Sequence, residues 1–130
     1  MALVVMKFGG SSVGDTERMK RVAKRITEKK AEGNQVVVVV SAMGDTTDNL
    51  IDLANELTDQ PSAREMDMLL TTGEQVSVAL LSMAVQELGF QALSLTGWQV
   101  GMLTDHNHGR AKILDIKPSR IIEALEKDHI

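Results

Sequence analysis

Cysteine is absent from the 130 residues, which excludes disulfides, thiolate metal sites and thiol catalysis while fitting any cellular compartment. Aromatic residues make up only 2%, so methionine, valine and leucine must fill the core, and eight methionines allow adaptable packing. A basic excess is also missing. The net charge of −4 and a pI near 5.3, with so few rings for stacking, argue against a nucleic-acid-binding module. No apolar run approaches the length of a membrane span, and Lys7 interrupts "MALVVMKFGG" where the apolar core of a signal peptide would continue. The expectation is a soluble cytoplasmic protein with no nucleic-acid or membrane partner. Its length suits one domain with a real core.

What is present is glycine in an unusual concentration. In "VVMKFGGSSVGDTERM", residues 4–19, a short apolar run passes into an amphipathic one through a loop dense in glycine and serine. A turn from strand to helix needs one or two glycines for its geometry. The surplus points to backbone brought close to a ligand, and Lys7 immediately before it points to a negative one.

Residues 3–8 read as a strand. From Asp15, the expected N-cap, the period changes: Met19, Val22, Ala23 and Ile26 share one helix face, and basic residues take the other. Gly33 closes this helix before "QVVVVVS", whose valines at 36–40 show no alternation and predict a parallel strand covered on both faces. A strand–helix–strand unit results. A helix through "DNLIDLANEL" follows, then the longest helix over residues 63–88, a short strand in "QALSLTG", a hairpin turning in "TDHNHGR", and a last helix from Pro118 to Lys127.

In an open α/β sheet, ligands sit beyond the carboxyl ends of the strands, where "KFGGSSVG" and "SAMGDTT" both fall. The first is neither a Walker loop nor a dinucleotide loop, because its lysine precedes the glycines. Lys7 shares a strand face with Leu3 and Val5, and its ammonium can reach a phosphate held by the amides of Gly9 to Ser12. A plain glycine-rich connection beside a surface lysine accounts for the loop equally well. Ser41 and Thr47 add small hydroxyls to the same crevice, although each alone is an ordinary turn former. Glu74, next to Gly73 on the longest helix, borders the apolar stripe; a helix glutamate ordinarily belongs to a solvated face, but the scarcity of other charges around it also suits a buried carboxylate facing a cation, with Gly73 letting something approach closely. Asp105, His106 and His108 lack a second cluster to complete a metal shell and read as loop residues; Asp67 reads as helix surface.

In their order and spacing, "KFGGSSVG", "VVVVVSAMGDTTDNL" and "REMDMLLTTGEQVS" resemble the amino-terminal part of the bacterial aspartokinases. The lysine-first loop is common to the wider amino-acid-kinase fold, whose members include kinases of glutamate, acetylglutamate, carbamate and uridylate. "SAMGDTTD" and "TTGEQVS" carry the narrower likeness. The resemblance implies an α/β fold, a three-layer αβα arrangement with a mainly parallel sheet, of which residues 1–130 form the amino-terminal half. It implies ATP-dependent phosphorylation of the side-chain carboxylate of L-aspartate, the first step towards lysine, threonine and methionine, with ATP and Mg²⁺ as cofactors and a homo-oligomeric state. By the same resemblance Lys7 stabilises the transferring phosphate; Phe8, Gly9, Gly10, Ser11 and Ser41 lie on the nucleotide side; and Thr47 and Glu74 hold aspartate, Glu74 against its α-ammonium. The family continues with a second catalytic half and ACT regulatory domains, so the expectation is a truncated fragment inactive alone. The alternatives are another enzyme of the amino-acid-kinase family, or a non-catalytic phosphate-binding or oligomer-forming module.

Overall fold

The computed structural model describes residues 1–130. Strand β1 (Leu3–Phe8) leads through a 3₁₀ turn (Gly10–Val13) into helix α1 (Thr16–Ala31) and back to strand β2 (Gln35–Val40). The two strands pair in parallel with an unbroken register from Leu3 opposite Gln35 to Phe8 opposite Val40, so the strand–helix–strand unit expected from the change of period is present. Helix α1 starts where its cap directs: Asp15 is extended, and its carboxylate accepts the Arg18 N–H at 2.8 Å. It ends at Gly33, whose φ of +92° is costly for other residues.

One face of α1 presents Met19, Val22, Ala23 and Ile26 to Phe8 and Val36, and Val13 with Leu81 and Val85 of α3 (Ala63–Glu87) completes the cluster. Burying each of the larger side chains contributes roughly 1.5–3 kcal/mol before the entropy of ordering it. Arg25 lies over the Phe8 ring at 5.5 Å from its centroid. The valine run departs from expectation. Val36 is buried, but Val39 is 49% exposed, as are Leu3 at 59% and Val5 at 62%. The face of β1 and β2 opposite the core is thus open. A run of valines records that a strand suits cover on both sides, not whether the same chain supplies it.

Helix α2 (Thr46–Leu57) packs on α3, and α3 runs over almost the whole span its periodicity predicts. By length and composition alone α3 would pass for a membrane span, a test that core helices also pass, and in this fold it packs against α1 and α2. It lays a stripe of Gly73, Ser77, Leu81 and Val85 into the protein, with α1 as neighbour. Residues 91–97 form no strand ladder. Their strand-type bonds are from Leu93 N–H to Ile130 O at 3.0 Å and from Ile130 N–H to Gln91 O at 2.9 Å, because a strand is defined by a neighbour and only one residue lies alongside. The expected hairpin is present as β3 (Met102–Thr104) antiparallel to β4 (Ile113–Ile116), and α4 (Ser119–Glu126) follows Pro118.

Candidate active site

The two loops that leave β1 and β2 are tied to each other. Ser41 N–H donates to Phe8 O at 3.1 Å, and Gly44 N–H donates to Gly10 O at 3.0 Å. The approach is close enough to require glycine: a Cβ on Gly10 would stand 2.8 Å from the Ala42 carbonyl oxygen. Parallel pairing brings both strand ends to one edge, and these bonds close that edge into one crevice.

Lys7 is exposed near the end of β1, opposite Val39 and on the same side as Leu3 and Val5, as alternation predicts. The amides of Gly9, Gly10 and Ser11 have no partner within the chain. Ser12, expected among the anion donors, is not free: its N–H turns back to Gly9 O at 3.1 Å and closes the 3₁₀ turn. Arg18 braces the loop from behind, its Nη1 donating to Ser11 O at 2.9 Å. Open space surrounds Gly9, so a ligand can approach its backbone. Successive free backbone amides of this kind are the type of donor set that can receive an anion.

Phe8 brings only backbone to this crevice. Its ring is buried in the core at 5% exposure and its carbonyl is taken by Ser41, because its position on β1 points inward. Ser41 and Thr47 are both half-buried, with hydroxyls that bond to nothing in the chain. Helix α2 begins without a side-chain cap at Asp45, and the amides of Thr47 and Asp48 are unpartnered. Sequence inspection missed these two donors. The signal was the dense "GDTTD", in which Thr46 bonds back to Met43 O at 2.6 Å and leaves the cap position open.

Gly73 behaves as expected, and its neighbours are now identified. A Cβ there would be 3.0 Å from Ala42 Cβ and 3.4 Å from Thr46 Cγ2, so α3 rests on the second loop and the start of α2. Glu74 is different from its expectation. It is exposed, at the rim of a large apolar cleft, without an ion pair. One residue past the buried Gly73, the helical turn carries Glu74 away from the contact, and no other element of the chain covers it.

Asp67 and the "DHNHG" loop form a clasp outside the crevice. The Asp67 carboxylate accepts the Gly109 N–H at 3.0 and 3.1 Å and lies 3.2 Å from His108 Nδ1, which pins the hairpin loop to α3. No three His, Asp or Glu side chains gather in a way that could hold a metal.

Comparison with known proteins gives a consistent picture. The model of the amino acid kinase family matches residues 2–130. The aspartokinase of Mycolicibacterium smegmatis is 59% identical over all 130 residues, which cover 31% of that protein, and that of Geobacillus stearothermophilus is 55% identical, with 32% covered. The chain therefore spans about a third of the length of these curated relatives. Among solved structures, aspartate kinase from Synechocystis superposes with a TM-score of 0.84 at 51% identity, over 98% of this chain and 20% of that one. Escherichia coli aspartokinase III in complex with aspartate and ADP superposes at 0.83 with 22% identity, over 98% of this chain and 39% of that one, a likeness of fold.

Proposed function

Because the chain belongs to the amino acid kinase family, we propose that residues 1–130 act as the amino-terminal part of an aspartate kinase domain, holding the phosphates of ATP and one end of L-aspartate. The observation that carries the reading is the crevice closed by the Gly10–Gly44 bond, where Lys7, near the end of β1, precedes the free amides of Gly9, Gly10 and Ser11. The relatives at 55–59% identity named aspartokinase support the choice of substrate.

An anionic carboxylate must approach an anionic triphosphate, so catalysis rests on positioning and on cancelling charge. Lys7 and the loop amides stabilise negative charge on the transferring phosphoryl group. Ser41 lies at the nucleotide side. Thr47, with the unpartnered amides opening α2, receives a carboxylate of aspartate, and Glu74 reads its α-ammonium. The crevice fits phosphate oxygens, but it has no dedicated cage for a metal. Mg²⁺ would accompany the nucleotide, held mainly by phosphate and water, and would offset triphosphate charge. The product, 4-phospho-L-aspartate, leads towards lysine, threonine and methionine. The remainder of a kinase domain and regulatory domains would follow in a longer protein.

The test is a chimera in which residues 1–130 replace the matching third of the M. smegmatis aspartokinase, assayed by hydroxylamine trapping of the acyl phosphate. Trapping that depends on ATP, Mg²⁺ and aspartate, and not on glutamate or acetylglutamate, is expected. A folded chimera that prefers another acceptor would assign a sister kinase; one that binds nucleotide but traps nothing with any acceptor would favour a phosphate-binding module.

A further inference from the structure

Each free amide of the glycine loop shares a peptide group with a carbonyl that is already bonded. The N–H of Gly9 belongs with Phe8 O, which accepts the Ser41 N–H at 3.1 Å, and that of Ser11 belongs with Gly10 O, which accepts the Gly44 N–H at 3.0 Å. Between them, the N–H of Gly10 belongs with Gly9 O, which accepts the Ser12 N–H at 3.1 Å. A peptide group is planar and trans, so its N–H and C=O point in opposite directions. A donor fixed on the carbonyl therefore aims the amide on the other side.

The outer two amides are aimed by the second loop, but the middle one is aimed by Ser12, inside its own loop. Ser12 N–H in turn shares its peptide with Ser11 O, to which Arg18 Nη1 donates at 2.9 Å. Gly14 N–H reaches the same oxygen at 3.4 Å, a longer and uncharged bond. The path from the guanidinium to the Gly10 amide thus runs through two peptide groups in series. Bonds in such a chain polarise one another, and one made by a cation is about twice as strong as a neutral one. Asp15 holds Arg18 in place: one carboxylate oxygen caps its backbone N–H at 2.8 Å, and the other lies 3.6 Å from Nε. With both side chains more than half exposed, that ion pair alone is worth little. The bond to Ser11 O is what sets Arg18 apart from Arg21, which is exposed on the same helix and makes no such contact.

We propose that Arg18 is a positioning residue for phosphate: acting through Ser11 O and Ser12 N–H, without touching the ligand, it fixes and polarises the central donor of the loop, the Gly10 amide. The inference rests on the reading of the crevice as a phosphate site, and it adds a residue that the pattern of α1 assigns to the solvent-facing basic side. Substitution of Arg18 leaves the start of α1 intact, because the cap bond to Asp15 uses the backbone.

The test titrates the 130-residue chain with inorganic triphosphate, reading binding from the amide resonances of Gly9, Gly10 and Ser11, and measures hydrogen exchange at Ser12 without ligand. Arg18→Met keeps the stem of the side chain, Arg21→Met removes the same charge from the same helix, and Arg18→Lys restores the charge with a simpler donor. Arg18→Met should weaken triphosphate binding by about tenfold and speed exchange at Ser12 by a similar factor. Arg21→Met should change each by less than about twofold, as expected of a screened surface charge, and Arg18→Lys should recover part of both losses. A parent chain whose three amides do not respond to triphosphate would overturn the phosphate reading and this inference with it. If the parent binds and Arg18→Met binds equally well, the role of Arg18 alone falls. Equal weakening by Arg21→Met, or weaker binding with exchange at Ser12 unchanged, would show that Arg18 acts by its charge and would also overturn the proposal.

Discussion

A Cβ built on Gly73 would lie 3.0 Å from the Cβ of Ala42, so the longest helix touches the loop after β2 with no space between them. Both residues are buried, and Thr46 closes the third side at 3.4 Å. The second loop of the crevice is therefore supported from beneath by a helix whose next residue is Glu74. Gly73→Val adds branched bulk that Ala42 and Thr46 must absorb, at a cost of roughly 1–3 kcal/mol. Thermal unfolding should show a Tm lower by several degrees. An unchanged Tm would mean that α3 can move away from the loop freely.

Gly9 and Gly10 are adjacent yet should respond oppositely. Gly10→Ala drives a methyl to 2.8 Å from the Ala42 carbonyl, a backbone atom that cannot swing aside, whereas Gly9→Ala meets nothing within 4 Å and has an ordinary φ of −77°. Gly10→Ala should destabilise by roughly 1–3 kcal/mol and weaken phosphate binding, while Gly9→Ala stays within about 0.5 kcal/mol of the parent in stability. Urea unfolding of the two variants checks the contrast, and equal midpoints would remove the Gly10–Ala42 contact from the account of the crevice.

Lys7→Ala in the chimera should reduce turnover by roughly two to three orders of magnitude, the scale for removing one donor from developing charge. Because Lys7 is exposed and carries no packing, Tm should hardly move. Steady-state kinetics that change less than about threefold would take Lys7 out of the phosphoryl-transfer step.

Glu74→Gln in the chimera keeps shape and hydrogen bonding but removes the charge an α-ammonium would meet. Apparent affinity for aspartate should fall by about tenfold or more, with affinity for ATP nearly constant. An equal loss for both substrates would identify Glu74 as structural.

Asp128 gives a prediction about pH. Its carboxylate hydrogen-bonds Lys30 Nζ at 2.7 Å, and that bond, with the charge of the same lysine, holds its pKa below the usual carboxylate range. A depressed folded-state pKa stabilises above the unfolded value and loses that contribution as pH falls through the folded one. Asp128→Asn, which still tolerates the observed φ of +64°, should lower Tm near pH 7, with the difference shrinking below about pH 4. A constant difference between pH 7 and pH 2 would assign the effect to the backbone instead.

Periodicity and turn chemistry were enough to locate α1, the length of α3, the hairpin and α4. These features depend on residues three or four apart, or on the backbone freedom of one residue such as Gly33. The strand–helix–strand pattern was enough to place Lys7, the glycine loop, Ser41 and Thr47 at one end of the sheet, since parallel strands end together. What lies across a gap was not legible. The amide of Ser12 belongs to its own turn, Phe8 turns its ring into the core, Asp67 reaches 42 positions along the chain to Gly109, and Glu74 stands exposed one residue from a buried glycine. Local sequence sets which face of an element is apolar. Only tertiary structure decides whether another element covers that face, because cover depends on where distant parts of the chain come to rest; hence the valines of β2 predict cover on both faces, and the fold leaves one face open, with Val39 exposed.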